Sequence, residues 1–182
     1  MMKHLNLSLS TTIPTVLIAL CTILVLTACG GGGDGGGGTT ADAASVDTDT
    51  TIDTGAWQAK LIKPTEKAKI IGEGSLVYQS ESGVYLIVFV EVTNSSGTLQ
   101  VVPRDLFKLS DGQGNDYKAV KSAIQVAYVQ HKGKDQGLEI ILDSPMQNDE
   151  VRAGVVVFEI PEDASGLMLS LKDSSETLNT GF

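Results

Sequence analysis

The stretch Val84-Tyr-Leu-Ile-Val-Phe-Val-Glu-Val-Thr-Asn94 decides the fold class of this 182-residue chain. Side chains two apart share a face of an extended strand. Val84, Leu86, Val88, Val90 and Val92 therefore make one wholly apolar face. Tyr85, Ile87, Phe89, Glu91 and Thr93 make the other, less apolar one. β-Branched and aromatic residues in strict alternation specify a central strand. Asn94-Ser-Ser-Gly97 ends it with turn chemistry.

Working outward, Leu76 and Tyr78 alternate just before the central strand, and Glu81-Ser-Gly83 is short enough to join the two as a hairpin. Phe107 and Leu109 alternate with Lys108 and Ser110 ahead of the turn Asp111-Gly-Gln-Gly-Asn-Asp116, which predicts a second hairpin. Val156, Phe158 and Ile160 form the apolar face of a later strand whose other side carries Val155, Val157 and Glu159, and Pro161 stops it. Leu167, Leu169 and Leu171 mark the last strand. About seven short strands with near-regular turns predict an all-β antiparallel sandwich with no convincing helical run. Val88, Val90, Phe107, Phe158 and Leu169 are expected to point inward. The segment from Lys121 to Leu142 reads two ways. Ile124, Val126 and Tyr128 alternate as in a strand, yet Ala123 to Val129 also fits a short helix. A hairpin through His131-Lys-Gly-Lys-Asp-Gln-Gly137 into Leu138-Glu-Ile-Ile-Leu142 is the preferred reading.

Three blocks together carry a resemblance: Tyr85-Leu-Ile-Val-Phe-Val-Glu-Val-Thr-Asn94; Asp105-Leu-Phe-Lys-Leu-Ser-Asp-Gly112 with Tyr117; and Gly154-Val-Val-Val-Phe-Glu-Ile-Pro161. In order and spacing residues 57 to 172 resemble a bacterial telokin-like domain family. The resemblance implies an immunoglobulin-like sandwich of the kind carried by many lipoproteins, with no established activity. Asn148-Asp149 stands where that family has Pro-Gly, and the stretch from Lys121 to Asp143 is long for it. That longer stretch is where a grafted function is expected.

The amino terminus reads as an address. Lys3 precedes an apolar run of 15 residues, Ile13 to Thr27, which is shorter than the roughly 20 that span a bilayer core and contains Pro14. This marks a signal peptide over an uncleaved membrane helix. Leu26-Thr-Ala-Cys29 resembles the lipobox of bacterial lipoproteins, which implies that Cys29 is acylated and that Cys21 leaves with the signal. Gly30 rather than Asp after the cysteine resembles an outer-membrane sorting signal. The chain is thus expected to be lipid-anchored in the cell envelope, with the membrane as a partner through Cys29. Gly30 to Gly38 is glycine broken only by Asp34, and Thr39 to Thr54 is rich in Thr, Ala and Asp, a composition that cannot bury enough apolar surface to order itself. As a flexible coil it would set the domain about 30 Å from its anchor. The expected organisation is a lipoprotein signal peptide (1–28), an acylated cysteine and disordered linker (29–56), the sandwich (57–173) and a polar tail (174–182).

Charge narrows the function. With 13 Lys and Arg against 22 Asp and Glu, a net −9, counterion release offers no affinity for nucleic acid. After the signal the sequence has one cysteine, Cys29, and one histidine, His131, so zinc, haem and iron–sulfur ligand sets are absent from it and no cofactor or metal is expected. His131, placed on a loop, is expected to be solvated, and no Gly-x-Ser-x-Gly elbow offers it a nucleophile. Asp47-Thr-Asp-Thr-Thr-Ile-Asp53 has alternating hard oxygen ligands, but Ile52 and Gln58 stand where a calcium loop needs Gly and Glu. Gly72-Glu-Gly74 is too short to cradle phosphate and reads as a turn. Lys60, Lys63, Lys67 and Lys69 form the densest basic patch, read as solvated guards of an edge strand over a lipid-contacting surface. Phe182 lacks the alternating band of an outer-membrane barrel end. The expected function is a non-enzymatic binding domain for an envelope protein or glycan, with no catalytic residue. The alternative is a glycan hydrolase using Glu91 and Glu159 as its carboxylate pair.

Overall fold

The structure is a computed structural model that describes Val46 and residues 48–182. The lipobox, Cys29 and the glycine run lie outside the described residues. Among the described residues, fourteen strands and one helix follow in chain order: β1 (Thr51–Asp53), β2 (Trp57–Leu61), β3 (Glu66–Ala68), β4 (Ile70–Glu73), β5 (Leu76–Gln79), β6 (Val84–Asn94), β7 (Gln100–Val101), β8 (Phe107–Ser110), β9 (Asp116–Tyr117), α1 (Lys121–His131), β10 (Leu138–Glu139), β11 (Pro145–Met146), β12 (Val151–Ile160), β13 (Met168–Leu171) and β14 (Thr177–Asn179).

The large sheet runs β1-β2-β6-β12-β10, with β3 continuing the edge that β2 begins on β6. The small sheet runs β14-β13-β8-β9. The all-β antiparallel sandwich is the observed fold, and its only parallel pair among the described strands is β10 on β12. β6, the stretch that decided the class, is its centre. It pairs with β12 over ten residues, from Val84 opposite Ile160 to Thr93 opposite Val151. A simple in-and-out alternation does not describe its burial, however, because every residue from Val84 to Val90 is buried.

The reason is a third layer. The even-numbered face of β6, together with Val156 and Phe158 of β12, faces the sandwich core. The odd face carries Tyr85, Ile87 and Phe89, and α1 covers it: the Phe89 and His131 rings meet edge-to-face at 5.0 Å. This corrects the preferred hairpin for Lys121 to Leu142. Ala123, Ile124, Val126, Ala127 and His131 are the buried positions of α1, a helical stripe. Two alanines one turn apart let the helix lie close on the sheet. The strand alternation of Ile124, Val126 and Tyr128 overlaps that same stripe, which is why the residues alone fitted both. The helix starts after Val120 without a side-chain cap.

Three other expectations change. Leu76 to Gln79 pairs with β4, not β6, through Ile70↔Gln79 and Glu73↔Leu76, because β2, β3 and β12 already occupy both edges of β6. The tail at 174–182 is no tail. Thr177–Asn179 pairs with β13, Thr180 and Leu178 are buried, and the Leu167 N–H donates to the Phe182 carbonyl at 2.8 Å. The linker's last residues are likewise part of the sheet. Ile52 sits fully buried opposite Ala59, in line with Val92 beyond it, so one apolar residue between polar neighbours is enough to order β1.

Two other turn readings hold. β8 and β9 form the expected hairpin, Leu109 opposite Tyr117. The Asp111 carboxylate accepts from the Gln113 and Asn115 N–H groups, the Asn115 amide and the Tyr117 hydroxyl. In Asn148-Asp149, Asp149 takes φ +60°, the left-handed conformation that glycine adopts more readily. Gly154 interrupts β12 for a packing reason: a Cβ there would stand 2.7 Å from the Glu139 carbonyl oxygen and 2.8 Å from Ile141 Cγ2.

Candidate functional site

Within three residues of its pairing to β8, the chain changes sheets. Tyr117 pairs with Leu109 in the small sheet. Ala119 bridges to Phe158 in the large one, and the Val120 N–H donates to the Val157 carbonyl at 2.8 Å. β9 must therefore peel away from β8 after two residues, and the gap so opened is a cleft of about 370 Å³ lined by Arg104, Asp105, Phe107, Lys108, Asp116, Tyr117, Lys118 and Ala119. That volume lies at the lower end of small-ligand pockets, about 300–1,000 Å³. Phe107 and Ala119 supply an apolar floor. The Tyr117 ring is fixed by its hydroxyl, which donates to Asp111 at 2.7 Å. Hydrogen bonds from Asn115 and then Tyr117 hold the Asp111 carboxyl well below the usual carboxylate range, so the clamp is ionised at neutral pH.

The rim is of mixed charge, with Arg104, Lys108 and Lys118 beside Asp105 and Asp116. Arg104 is held from one side: its Nη2 and Nε donate to Asp143 Oδ2 at 2.8 and 3.2 Å, and Lys121 Nζ reaches the same oxygen at 2.9 Å. Those two cations keep the Asp143 carboxyl below its ordinary value. Asp105 is engaged by Lys172 at 2.8 Å. Lys108 and Lys118 have no ion pair or hydrogen bond among the described residues, and both are exposed. The β8–β9 register ends at Leu109↔Tyr117, so the two lysines border the same cleft without being paired across it. Behind the Lys172 hydrogen bond, Lys108 helps hold the Asp105 carboxyl below its ordinary value.

A wider hollow of about 510 Å³ adjoins Ile62, Lys63, Lys134, Asp135 and Gln136, but two of its three charges, Lys63 and Asp135, are already matched. Lys63 pairs with Asp135 at 2.6 Å and with Glu66 at 3.8 Å, and stands 3.6 Å above the Phe89 ring.

The residues singled out from sequence are distributed as follows. Glu91 and Glu159 lie on one face of paired strands, but Glu159 is opposite Tyr85, six residues from Glu91. At roughly 3.4 Å per residue the carboxylates stand about 20 Å apart, beyond the roughly 10 Å that two-carboxylate glycoside hydrolysis spans. Each is also engaged, Glu91 by Lys60 at 2.8 Å and Glu159 by the Ser80 hydroxyl at 2.6 Å. His131 is not a solvated loop residue. It ends α1, is 4 % exposed, and burial pushes its pKa down. Its Nε2 has no hydrogen-bond partner, with Glu66 at 3.6 Å and Asp135 at 3.7 Å from the ring nitrogens. Of the four lysines of the basic patch three are engaged, since besides Lys60 and Lys63, Lys67 donates to the Ala164 carbonyl at 3.0 Å and lies over the Phe182 ring, while Lys69 is exposed as expected. Asp53 organises a turn, accepting from the Gly55 N–H and the Gln58 amide; Asp47 lies outside the described residues. Gly72 belongs to β4, where its N–H donates to Gln130 of α1 at 2.7 Å, while Gly74 forms the turn. Among the described residues no three His, Cys, Asp or Glu side chains gather as a metal site, and no helix is long and apolar enough to cross a membrane. The cleft itself was hidden in the sequence, since it forms only where the chain leaves β8 at Tyr117 and joins β12 at Ala119.

The fold and cleft define a β-sandwich domain with an edge cavity. The family model named Domain of unknown function (DUF4352) matches residues 57–179, more than half of the chain, and the chain belongs to that family. The match runs through β14, in agreement with the ordered C-terminal strand. No curated protein matches the sequence. Among solved structures, a conserved hypothetical protein from Bacillus anthracis is similar, with 14% identity, a TM-score of 0.54, and coverage of 74% of this chain and 94% of that one. An uncharacterized beta-sandwich protein from Clostridium difficile is similar at 14% identity and TM-score 0.43, over 74% of this chain and 90% of that one. So is a Bacillus subtilis protein, ycdA, described as a candidate lipoprotein, at 16% identity and TM-score 0.44, over 70% of this chain and 34% of that one. At 14% identity the likeness to the Bacillus anthracis protein speaks for the fold alone.

Proposed function

We propose that this chain is a lipid-anchored, non-enzymatic binding domain of the cell envelope. Cys29 is its acylated residue, the glycine-rich segment its tether, and a telokin-like, immunoglobulin-type sandwich its scaffold. The Gly30 position favours the outer membrane of a two-membrane bacterium. The partner is an envelope protein or glycan. The observation that carries the binding role is the cleft between β8 and the crossing segment 117–119, with its apolar floor and two unpaired lysines. The alternative, a glycan hydrolase, would need a carboxylate pair other than Glu91 and Glu159.

Two experiments test this reading. Cys29→Ser should leave an unprocessed precursor that no longer partitions into detergent as a mature lipoprotein, because a hydroxyl does not replace the thiol in diacylglyceryl transfer; mature, detergent-phase protein from that variant would overturn the anchor. For the cleft, Ala119→Cys, which keeps Lys108 and Lys118, places a thiol on the cleft lining, Cys21 and Cys29 being the chain's only native cysteines. Blocking it with a bulky maleimide should remove cross-linked envelope partners captured by the unblocked protein. Unchanged capture would sink the assignment of this cleft.

A further inference from the structure

We infer that the cleft binds an acidic saccharide, a hydroxyl-rich ring bearing a carboxylate or phosphate that meets the lysines of its rim, Lys108 and Lys118. The inference rests on the binding reading above and goes further by naming the ligand's chemistry. Three features of the lining select it. First, the cleft borders three cations, Arg104, Lys108 and Lys118, and neither lysine makes a salt bridge or side-chain hydrogen bond among the described residues, although Lys108 lies in the field of Asp105. A compact anion beside them gains charge-assisted hydrogen bonds. Arg104 adds a third donor, because only its Nε and Nη2 are taken by Asp143.

Second, the same cleft holds carboxylates. Asp116 is exposed, directly opposite Ser110 in the register, and has no hydrogen bond or ion pair among the described residues. Asp105 offers its second oxygen, its Oδ2 being bonded to Lys172. Ionised carboxylates accept only. They would repel a simple inorganic anion or a fatty acid, whereas hydroxyl groups on a sugar ring donate to them. Third, the floor is Phe107, Tyr117 and Ala119, with the Tyr117 ring locked by Asp111. A fixed aromatic body with a polar rim suits the mixed C–H and O–H faces of a sugar. A neutral sugar would use the second and third features and leave the lysines without an anion. An acidic one uses all three.

The test is binding of the purified mature protein to trigalacturonate, with glucose 6-phosphate as the phosphate-bearing arm and maltotriose as the uncharged arm. Binding is followed by heteronuclear NMR on the backbone of residues 104–119. Trigalacturonate or glucose 6-phosphate should shift these resonances, with the better of the two identifying the anion, and should bind at least about tenfold tighter than maltotriose, a difference of about 1.4 kcal/mol. Raising the salt concentration should weaken it. Lys108→Ala with Lys118→Ala should lose about tenfold for the acidic sugars and leave maltotriose unchanged. Asp116→Asn should weaken the sugars but not inorganic phosphate, which is run beside them. Both lysines are exposed and unpaired, so the double variant is expected to fold, and Lys118→Glu provides a second charge change. Equal affinity for maltotriose and the acidic sugars would overturn the inference while leaving the cleft a binding site. Acidic-sugar binding unaffected by the lysine variants, or no shift with any probe, would overturn it as well; in the second case the cross-linking capture still decides whether the cleft binds a partner of other chemistry.

Discussion

Replacing Phe89 by alanine tests the layer that the chain's alternation left open. On a two-layer sandwich with a polar outer face, Phe89 would be half-exposed and its loss nearly neutral. In the structure it is fully buried. Its ring meets His131 edge-on at 5.0 Å and an interplanar angle of 79°, and Lys63 Nζ lies 3.6 Å above its centroid. Phe→Ala at such a site costs about 3–5 kcal/mol, a figure that already includes the cavity left behind. The upper half of that range is expected, because the aromatic pair and the cation contact are lost with the ring. With a urea m-value of about 2 kcal/mol/M for a domain of this size, a loss of about 4 kcal/mol lowers the unfolding midpoint by about 2 M. Urea titration by fluorescence of Trp57 and by circular dichroism reads it. Phe158→Ala, on the opposite face, should fall by a similar amount, and Val129→Ala, on the exposed side of α1, should stay within about 0.5 kcal/mol. A Phe89→Ala midpoint within about 0.25 M of the parent, the equivalent of a surface substitution, would refute the covering of this face by α1.

Three further outcomes follow from named contacts. His131 is buried and its folded pKa lies below 6.5, so the unfolded chain binds the proton more readily. Stability from this group is complete above about pH 6.5 and falls as pH drops from there through the lower folded pKa; His131→Phe should flatten that acid-side slope in melts between about pH 7.5 and 5, and an unchanged slope would show that other groups cause it. Gly154→Ala puts a Cβ within 2.8 Å of Glu139 O and Ile141 Cγ2 and should cost about 1–3 kcal/mol, while a neutral result in thermal melts would mean that β10 does not pack there. Asp111→Ala removes the acceptor of four hydrogen bonds and should loosen the β8–β9 turn, raising amide exchange at Gln113 and Asn115; unchanged protection would show the turn holds itself.

Much of the scaffold was written in local pattern. The alternation in β6, β8 and β12 and the Asp111 turn set strands and one hairpin register without help from distant residues, since a period of two and a turn motif are properties of neighbours along the chain. The signal peptide, lipobox and glycine run are also readings of local sequence alone. What the chain could not decide by itself was whether Lys121 to His131 is strand or helix. Its apolar residues satisfy both periods, and the choice belongs to the odd face of β6, which needs a cover and finds it in Ala123 and Ala127. Ile52, Leu178 and Thr180 were read as linker and tail because a single apolar residue among polar ones carries no periodic signal; only a sheet edge waiting for a partner gives it a place. The cleft is wholly tertiary. Lys108, Lys118 and Arg104 are ordinary surface residues in the sequence, and they converge because Tyr117 pairs with one sheet while Ala119 pairs with the other, leaving a gap that no local pattern records.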